Sequence, residues 1–216
     1  MPLALVLAVS LSGCVSLDRA FLPERVLDQR ASNGWVVDPG LEEDVHGGAF
    51  SKQALVGYRD EAEDGRGFRG VLVIESFRGL LSPDREALRE RAGESLRDQA
   101  RELGLALESA GRNGERTLAN GARSFYIVVN ATARDSGPLF DEEARVKMVG
   151  EVFRCTGGAT VVVTGSAQID TLQSIGGLDV RRVVDTTTWR EMVQDPRGSI
   201  EGHMGSLGLL HNVACA

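Results

Sequence analysis

The chain has 216 residues, enough for one domain with a sizeable core. A formal net charge of −7 and a pI near 5.1 argue against a nucleic-acid partner and against a polybasic membrane patch. Three cysteines, Cys14, Cys155 and Cys215, fit an exported protein.

In chain order, the first element is the apolar run Leu3-Ala4-Leu5-Val6-Leu7-Ala8-Val9, followed by Leu11-Ser12-Gly13-Cys14. This is the layout of a signal-peptide h-region and cleavage site over residues 1–13. It is too short to cross a bilayer, which takes ~20 apolar residues. Leu11–Cys14 resembles a lipobox, the signal of bacterial and archaeal-type lipoproteins at which the cysteine is lipidated. The resemblance implies that Cys14 carries a lipid and that the membrane is a partner through it. The protein then sits on the outer face of the cytoplasmic membrane or in the cell envelope. Two or more acyl chains give stable anchoring, at ~0.8 kcal/mol per buried CH₂. Val15, rather than Asp, tilts the location towards the outer membrane in a diderm. No Lys or Arg precedes the run, so either the α-amino group is its only positive charge or the true start lies upstream of Met1. With Cys14 assigned to lipid, Cys155 and Cys215 are expected to pair in an oxidising compartment; the alternative is two unpaired thiols.

Residues 14–45 read as the lipidated N-terminus and a tether. Leu22-Pro23-Glu24 and Ala31-Ser32-Asn33-Gly34 break helical periodicity, and Asp38-Pro39-Gly40 is turn chemistry. Trp35-Val36-Val37 predicts a short strand. Residues 46–216 then read as a single α+β domain. Its antiparallel sheet carries a long helix after the early strands and a second helix near the C-terminus, covering the sheet. Gln53–Tyr58 and Gly70–Phe77 are strand-like. Ser82-Pro83-Asp84 opens the long helix, with Leu88, Ala92, Leu96, Leu103 and Leu107 as its buried stripe. The i,i+3 pairs Glu86–Arg89, Glu94–Arg97 and Asp98–Arg101 line its charged face. Asn113-Gly114 and Asn120-Gly121 suit type I′ hairpin turns. Arg123–Ala133, Arg145–Cys155 and Ala159–Ala167 predict strands, the first covered on both sides. Val180, Val183, Val184 and Met192 predict the second helix, ending near Asp195-Pro196. The tail from Ser199 reads as irregular unless Cys215 pins it.

Motifs for chemistry are sparse. Ser166 and Ser206 lie outside any G-x-S-x-G elbow, and no phosphate-binding glycine motif opens a helix. His46, His203 and His211 lack short metal-ligand spacings and read as surface histidines. Glu42-Glu43-Asp44-Val45-His46 could hold a metal, although a solvated loop is the commoner reason for such charge. Asp60–Gly65 superficially matches a calcium loop, but Val71 stands where a bidentate carboxylate is needed. Asn130-Ala131-Thr132 is a glycosylation sequon placed inside a strand. No catalytic residue, metal site or cofactor is assigned.

The order of elements from Gln53 to about Gln194 resembles the PsbP/Mog1-like arrangement. It is carried by Val71-Leu72-Val73-Ile74 before the Ser82–Leu107 helix, Asn120-Gly121 before Ser124–Val129, and the Val161–Thr164 strand. The resemblance implies a non-catalytic accessory or binding protein and assigns no functional residue. The expected function is therefore a membrane-anchored extracytoplasmic lipoprotein that binds an envelope protein or component. The alternatives are an extracytoplasmic hydrolase with a dispersed site and a small-molecule or metal-binding lipoprotein using the acidic loops.

Overall fold

A computed structural model describes residues 19–43, 52–61, 68–78, 84–134 and 143–216. The chain is mostly β, which corrects the expected α+β architecture. Among the described residues are β1 (Ala20–Phe21), α1 (Glu24–Ala31), β2 (Trp35–Glu43), β3 (Lys52–Glu61) and β4 (Phe68–Arg78). Then come α2 (Arg85–Glu102), β5 (Leu105–Thr117), β6 (Arg123–Ala133), β7 (Arg145–Arg154) and β8 (Thr160–Ile175). The chain ends with β9 (Leu178–Val183), α3 (Thr187–Val193), a 3₁₀ turn at Leu210–Asn212 and β10 (Ala214–Cys215).

One antiparallel sheet runs β2-β3-β4-β8-β7-β6-β5, with β9 paired to the far half of β8. The connections are mostly hairpins; the exception is β4 to β5, which passes through α2 and places β8 between β4 and β7. The apolar centres of β8 (Val161-Val162-Val163) and of β6 (Phe125–Val129) suit strands flanked on both sides. The two-stranded sheet β1-β10 is separate and joins the ends of the domain, with Ala20 opposite Cys215.

The two faces are closed differently. Helix α2 starts at Asp84, whose carboxylate accepts from the Ala87 N–H at 2.9 Å. It lies over β5 to β8 and reaches β4 through the Arg91–Glu75 ion pair, with Ala92, Leu96 and Ala100 buried. Gly150 permits the close approach, since a Cβ there would stand 2.8 Å from Leu96 Cγ and 3.0 Å from the Ala92 carbonyl. The opposite face holds the larger core, including Trp35, Tyr58, Leu72, Ile74, Val149, Phe153, Val161 and Val163. It is closed by the short helices α1 and α3 and by irregular C-terminal chain through Ile200, Leu209, Leu210 and Val213. Loops thus do most of the covering there. Burial of each such side chain contributes ~1.5–3 kcal/mol, so the tail is part of the core rather than an appendage.

Several expectations change in physical detail. The segment expected to be irregular before residue 45 forms β1, α1 and β2, because Ala20, Leu22, Val26 and Trp35 find core positions. Asp38-Pro39-Gly40 falls inside β2, at a register shift against β3, with the Gly40 N–H donating to Asp38 Oδ1. Asn113-Gly114 does not turn; it lies in β5, whose pairing with β6 shifts twice. Asn120-Gly121 does turn, but only Gly121 has positive φ (+82°), so the turn is not type I′. The long helix ends at Glu102, and Leu107 belongs to β5, half exposed. The second helix shrinks to Thr187–Val193, and Leu178–Val183 is a strand. Gly176 and Gly177, at φ +61° and +82°, close the β8–β9 hairpin in the geometry expected for Asn-Gly.

Candidate functional site

Short as it is, α3 positions much of the buried polar chemistry. Glu191, 5% exposed, accepts from Trp35 Nε1 at 3.0 Å, from Arg30 at 3.2 Å and from the Asn33 amide. Trp189 Nε1 donates to Glu201 at 3.1 Å, and Lys147 pairs with the same carboxylate. Met192 packs against β8 where Gly165 leaves room; a Cβ at 165 would stand 2.3 Å from its sulfur. These bonds join the N-terminal segment, the sheet and the tail through one helix.

A second polar cluster joins β5, β7 and the tail. Arg116 donates from Nε to Glu151 Oε1 at 2.7 Å and from Nη2 to Glu151 Oε2. Its Nη1 donates to Asp195 Oδ2 at 3.1 Å. Ser124 Oγ also donates to Glu151, and the Arg197 N–H donates to Asp195 Oδ1 at 2.7 Å. His211 Nδ1 lies 3.2 Å from Asp195 Oδ2. Burial opposes the charge on Arg116, but the two carboxylates more than offset it and raise its pKa. Burial alone would raise Asp195; the Arg197 N–H and Arg116 outweigh that and hold it below the usual range. His211 is pushed down, chiefly by burial and then by Arg116, so it is neutral at pH 7. The expectation of a surface histidine fails at His211, which is buried. Serine, histidine and carboxylates are all present here, yet Arg116, Glu151 and Asp195 are sealed from solvent, so the cluster is a clamp on the fold.

Asp60 is the one-sided member of this chemistry. It is 1% exposed; Oδ2 accepts from Thr188, and Oδ1 has no hydrogen-bond partner. Burial raises its pKa, and Glu191 and Asp185 push the same way against Thr188 and Arg69. A carboxyl raised above its unfolded value favours the fold when protonated, and that contribution is lost as pH rises through the folded value. Asp60→Asn is therefore expected to be more stable than wild type at pH 8, with the gap closing towards pH 4. Urea unfolding across that range checks this; a wild type more stable than the variant at pH 8 would refute it.

Of the residues singled out in the sequence, Cys155 and Cys215 are brought together as a disulfide, with Cα atoms 5.9 Å apart. Cys14 lies outside the described residues, as do His46 and most of both acidic loops. Ser166 is buried, and Asn130 sits in β6 opposite Lys147. Among the described residues, no three His, Cys, Asp or Glu side chains are grouped to hold a metal, and no helix is long and apolar enough to cross a membrane. One cleft of about 250 Å³ lies beside Phe21, Leu55, Val56 and Ala216, and another of about 170 Å³ beside Leu88 and Phe125. Both are below the ~300–1,000 Å³ of typical small-molecule sites.

Four of the nine large apolar side chains exposed among the described residues lie in the β8–β9 hairpin. Every residue of β9 is exposed, and Ile175 (60%), Leu178 (71%), Val180 (45%) and Val183 (75%) present apolar surface to solvent. Sequence reading missed this arm by extending a helix through it; the signal was Gly176-Gly177 between runs of β-branched residues. Sequence comparison adds no relative: the chain matches no family model and no curated protein.

Proposed function

We propose that the protein is an extracytoplasmic binding domain held at a membrane by lipid on Cys14. The observation that carries this reading is the use of Cys155 and Cys215 by each other. It leaves Cys14 as the one cysteine outside that bridge, directly after Leu11-Ser12-Gly13. A disulfide belongs to an oxidising compartment, which agrees with export. The described domain begins beside that bridge, where β1 pairs with β10, so a lipid on Cys14 would tether a firmly closed end of the fold. Binding rather than turnover is favoured because the Arg116, Glu151 and Asp195 side chains are occupied with one another, while Ile175, Leu178, Val180 and Val183 expose apolar surface on one hairpin. The partner sought is an envelope protein.

Cell fractionation of wild type and Cys14→Ser tests the tether. The substitution is expected to lower the membrane-bound fraction roughly tenfold or more, as loss of the acyl chains removes the anchoring energy. A Cys14→Ser protein that stays with the membrane as fully as wild type contradicts the reading.

A further inference from the structure

We infer that the partner of the β8–β9 arm is a second copy of this chain, joined through the outer edge of β9 in one antiparallel register. The inference deepens the binding reading above, from which it takes the arm as the interaction surface. Ile175 faces Leu178 across the hairpin turn, and Gln173 faces Val180. Hydrogen bonding alternates along antiparallel strands, starting from the pair that flanks the turn. Leu178, Val180 and Arg182 therefore exchange bonds with β8, in line with the Val184 N–H donating to the Ile169 carbonyl. The backbone groups of Asp179, Arg181 and Val183 point the other way. Among the described residues, no strand but β8 pairs with β9.

An open edge with apolar side chains is a template for another strand. The charges on β9 decide which strand it is. A twofold axis perpendicular to a continuous sheet pairs residues whose numbers differ by an even count, so few registers exist. Centring on Leu178 or Val183 pairs no other residue of β9 with β9, centring on Asp179 sets two carboxylates opposite each other, and centring on Arg181 or Arg182 sets two guanidinium groups opposite each other. Centring on Val180 places Asp179 opposite Arg181 of the second copy, twice, and Leu178 opposite Arg182, twice. Like charges directly opposed are destabilising and opposite charges stabilising, so the sequence Asp179-Val180-Arg181 is complementary to itself. The outward backbone groups of Asp179 and Arg181 then meet each other, as an antiparallel ladder requires. Ile175, Leu178 and Val180 of both copies lie on the same face of a four-stranded ribbon, with the two Val180 side chains at its centre and Arg182 of one copy beside Leu178 of the other. Asp179 has no ionic partner of its own among the described residues, whereas Arg181 reaches Asp170 at 2.8 Å and keeps further donors free.

The test is cysteine crosslinking of the full chain in membranes, with subunit mass as readout. Val180 lies on the axis at a non-hydrogen-bonded pair, ~4.5 Å between Cα atoms, within disulfide reach. Val180→Cys is expected to give a covalent dimer on mild oxidation. Leu178→Cys is not, because its counterpart stands four residues away, ~13 Å along the strand. In detergent, Asp179→Arg and Arg181→Asp should each weaken self-association about tenfold or more, and an equimolar mixture of the two should restore it. Overturning results are a folded Val180→Cys chain that forms no dimer, a Leu178→Cys chain that crosslinks as readily, or an adduct whose mass is not twice the chain's. The tether is read separately: a Cys14→Ser chain that dissociates from the membrane but does not self-associate defeats only the dimer, and the reverse defeats only the anchor.

Discussion

Replacing Arg116 with methionine is expected to destabilise the domain by about 3–5 kcal/mol, the usual cost of removing one partner from a buried ion pair. The guanidinium is 1% exposed and is the cation shared by Glu151 and Asp195, both equally buried. Methionine fills a similar volume, so the loss reports the two stranded carboxylates rather than a cavity. Chemical denaturation at pH 7 measures it. Adding Glu151→Gln to Arg116→Met should restore part of the loss, since the double variant strands only one carboxylate. Arg116→Lys should not rescue fully, because an ammonium cannot reproduce the forked contact with Glu151 together with the bond to Asp195. The pH dependence has a defined sign. Asp195 is held below its unfolded value, so its stabilising contribution is present above the ordinary carboxylate range and is lost as pH falls through the depressed value. His211, also depressed, adds stability above its unfolded value that is lost as pH falls through its lower folded one. Arg116→Met should flatten the acid limb, and a variant within 1 kcal/mol of wild type would show that the cluster does not hold the tail.

The second large effect belongs to the disulfide. Cys155 and Cys215 are 60 residues apart, and closing a loop of that length stabilises by about 4 kcal/mol in the chain-entropy account. The double variant Cys155→Ala and Cys215→Ala should melt roughly 10 °C lower, given 2–4 °C per kcal/mol for a chain of this size. The bridge also anchors β10 beside β1, where the Ala216 N–H donates to the Arg19 carbonyl at 2.8 Å. Limited proteolysis of the double variant should therefore cut first at the two ends of the described domain. Reduction of wild type should reproduce the lowered melting temperature. An unchanged melting temperature on reduction would contradict the pairing.

The contrast between legible and hidden features follows from the range of the forces involved. Strands β3, β4, β6 and β7 were readable because apolar runs and alternation are local signals. The cysteine pair was readable by counting. The helix expected through Val180–Met192 forms only over Thr187–Val193, because Gly176-Gly177 supplies a tight turn and β8 supplies a pairing edge; long-range hydrogen bonding then overrides the apolar spacing in the first half. The same error hid the arm that exposes Ile175, Leu178, Val180 and Val183. Arg116 was invisible for another reason: its partners lie 35 and 79 residues away, and it sits in a stretch that looked like a turn. The clue was on the other side. Glu151 interrupts Val149-Gly150 and Val152-Phe153, and a charge in so apolar a strand needs a buried partner. His211 was misjudged likewise, because the irregular tail that carries it closes one face of the core.

The central claim is that this domain hangs from a lipidated cysteine in an oxidising compartment. Intact-mass spectrometry of the full chain extracted from membranes tests both halves at once. The account predicts a chain starting at Cys14, heavier by at least a diacylglyceryl group, with no free thiol until reduction exposes Cys155 and Cys215. A chain that retains residues 1–13 and carries Cys14 as an unmodified thiol would contradict it.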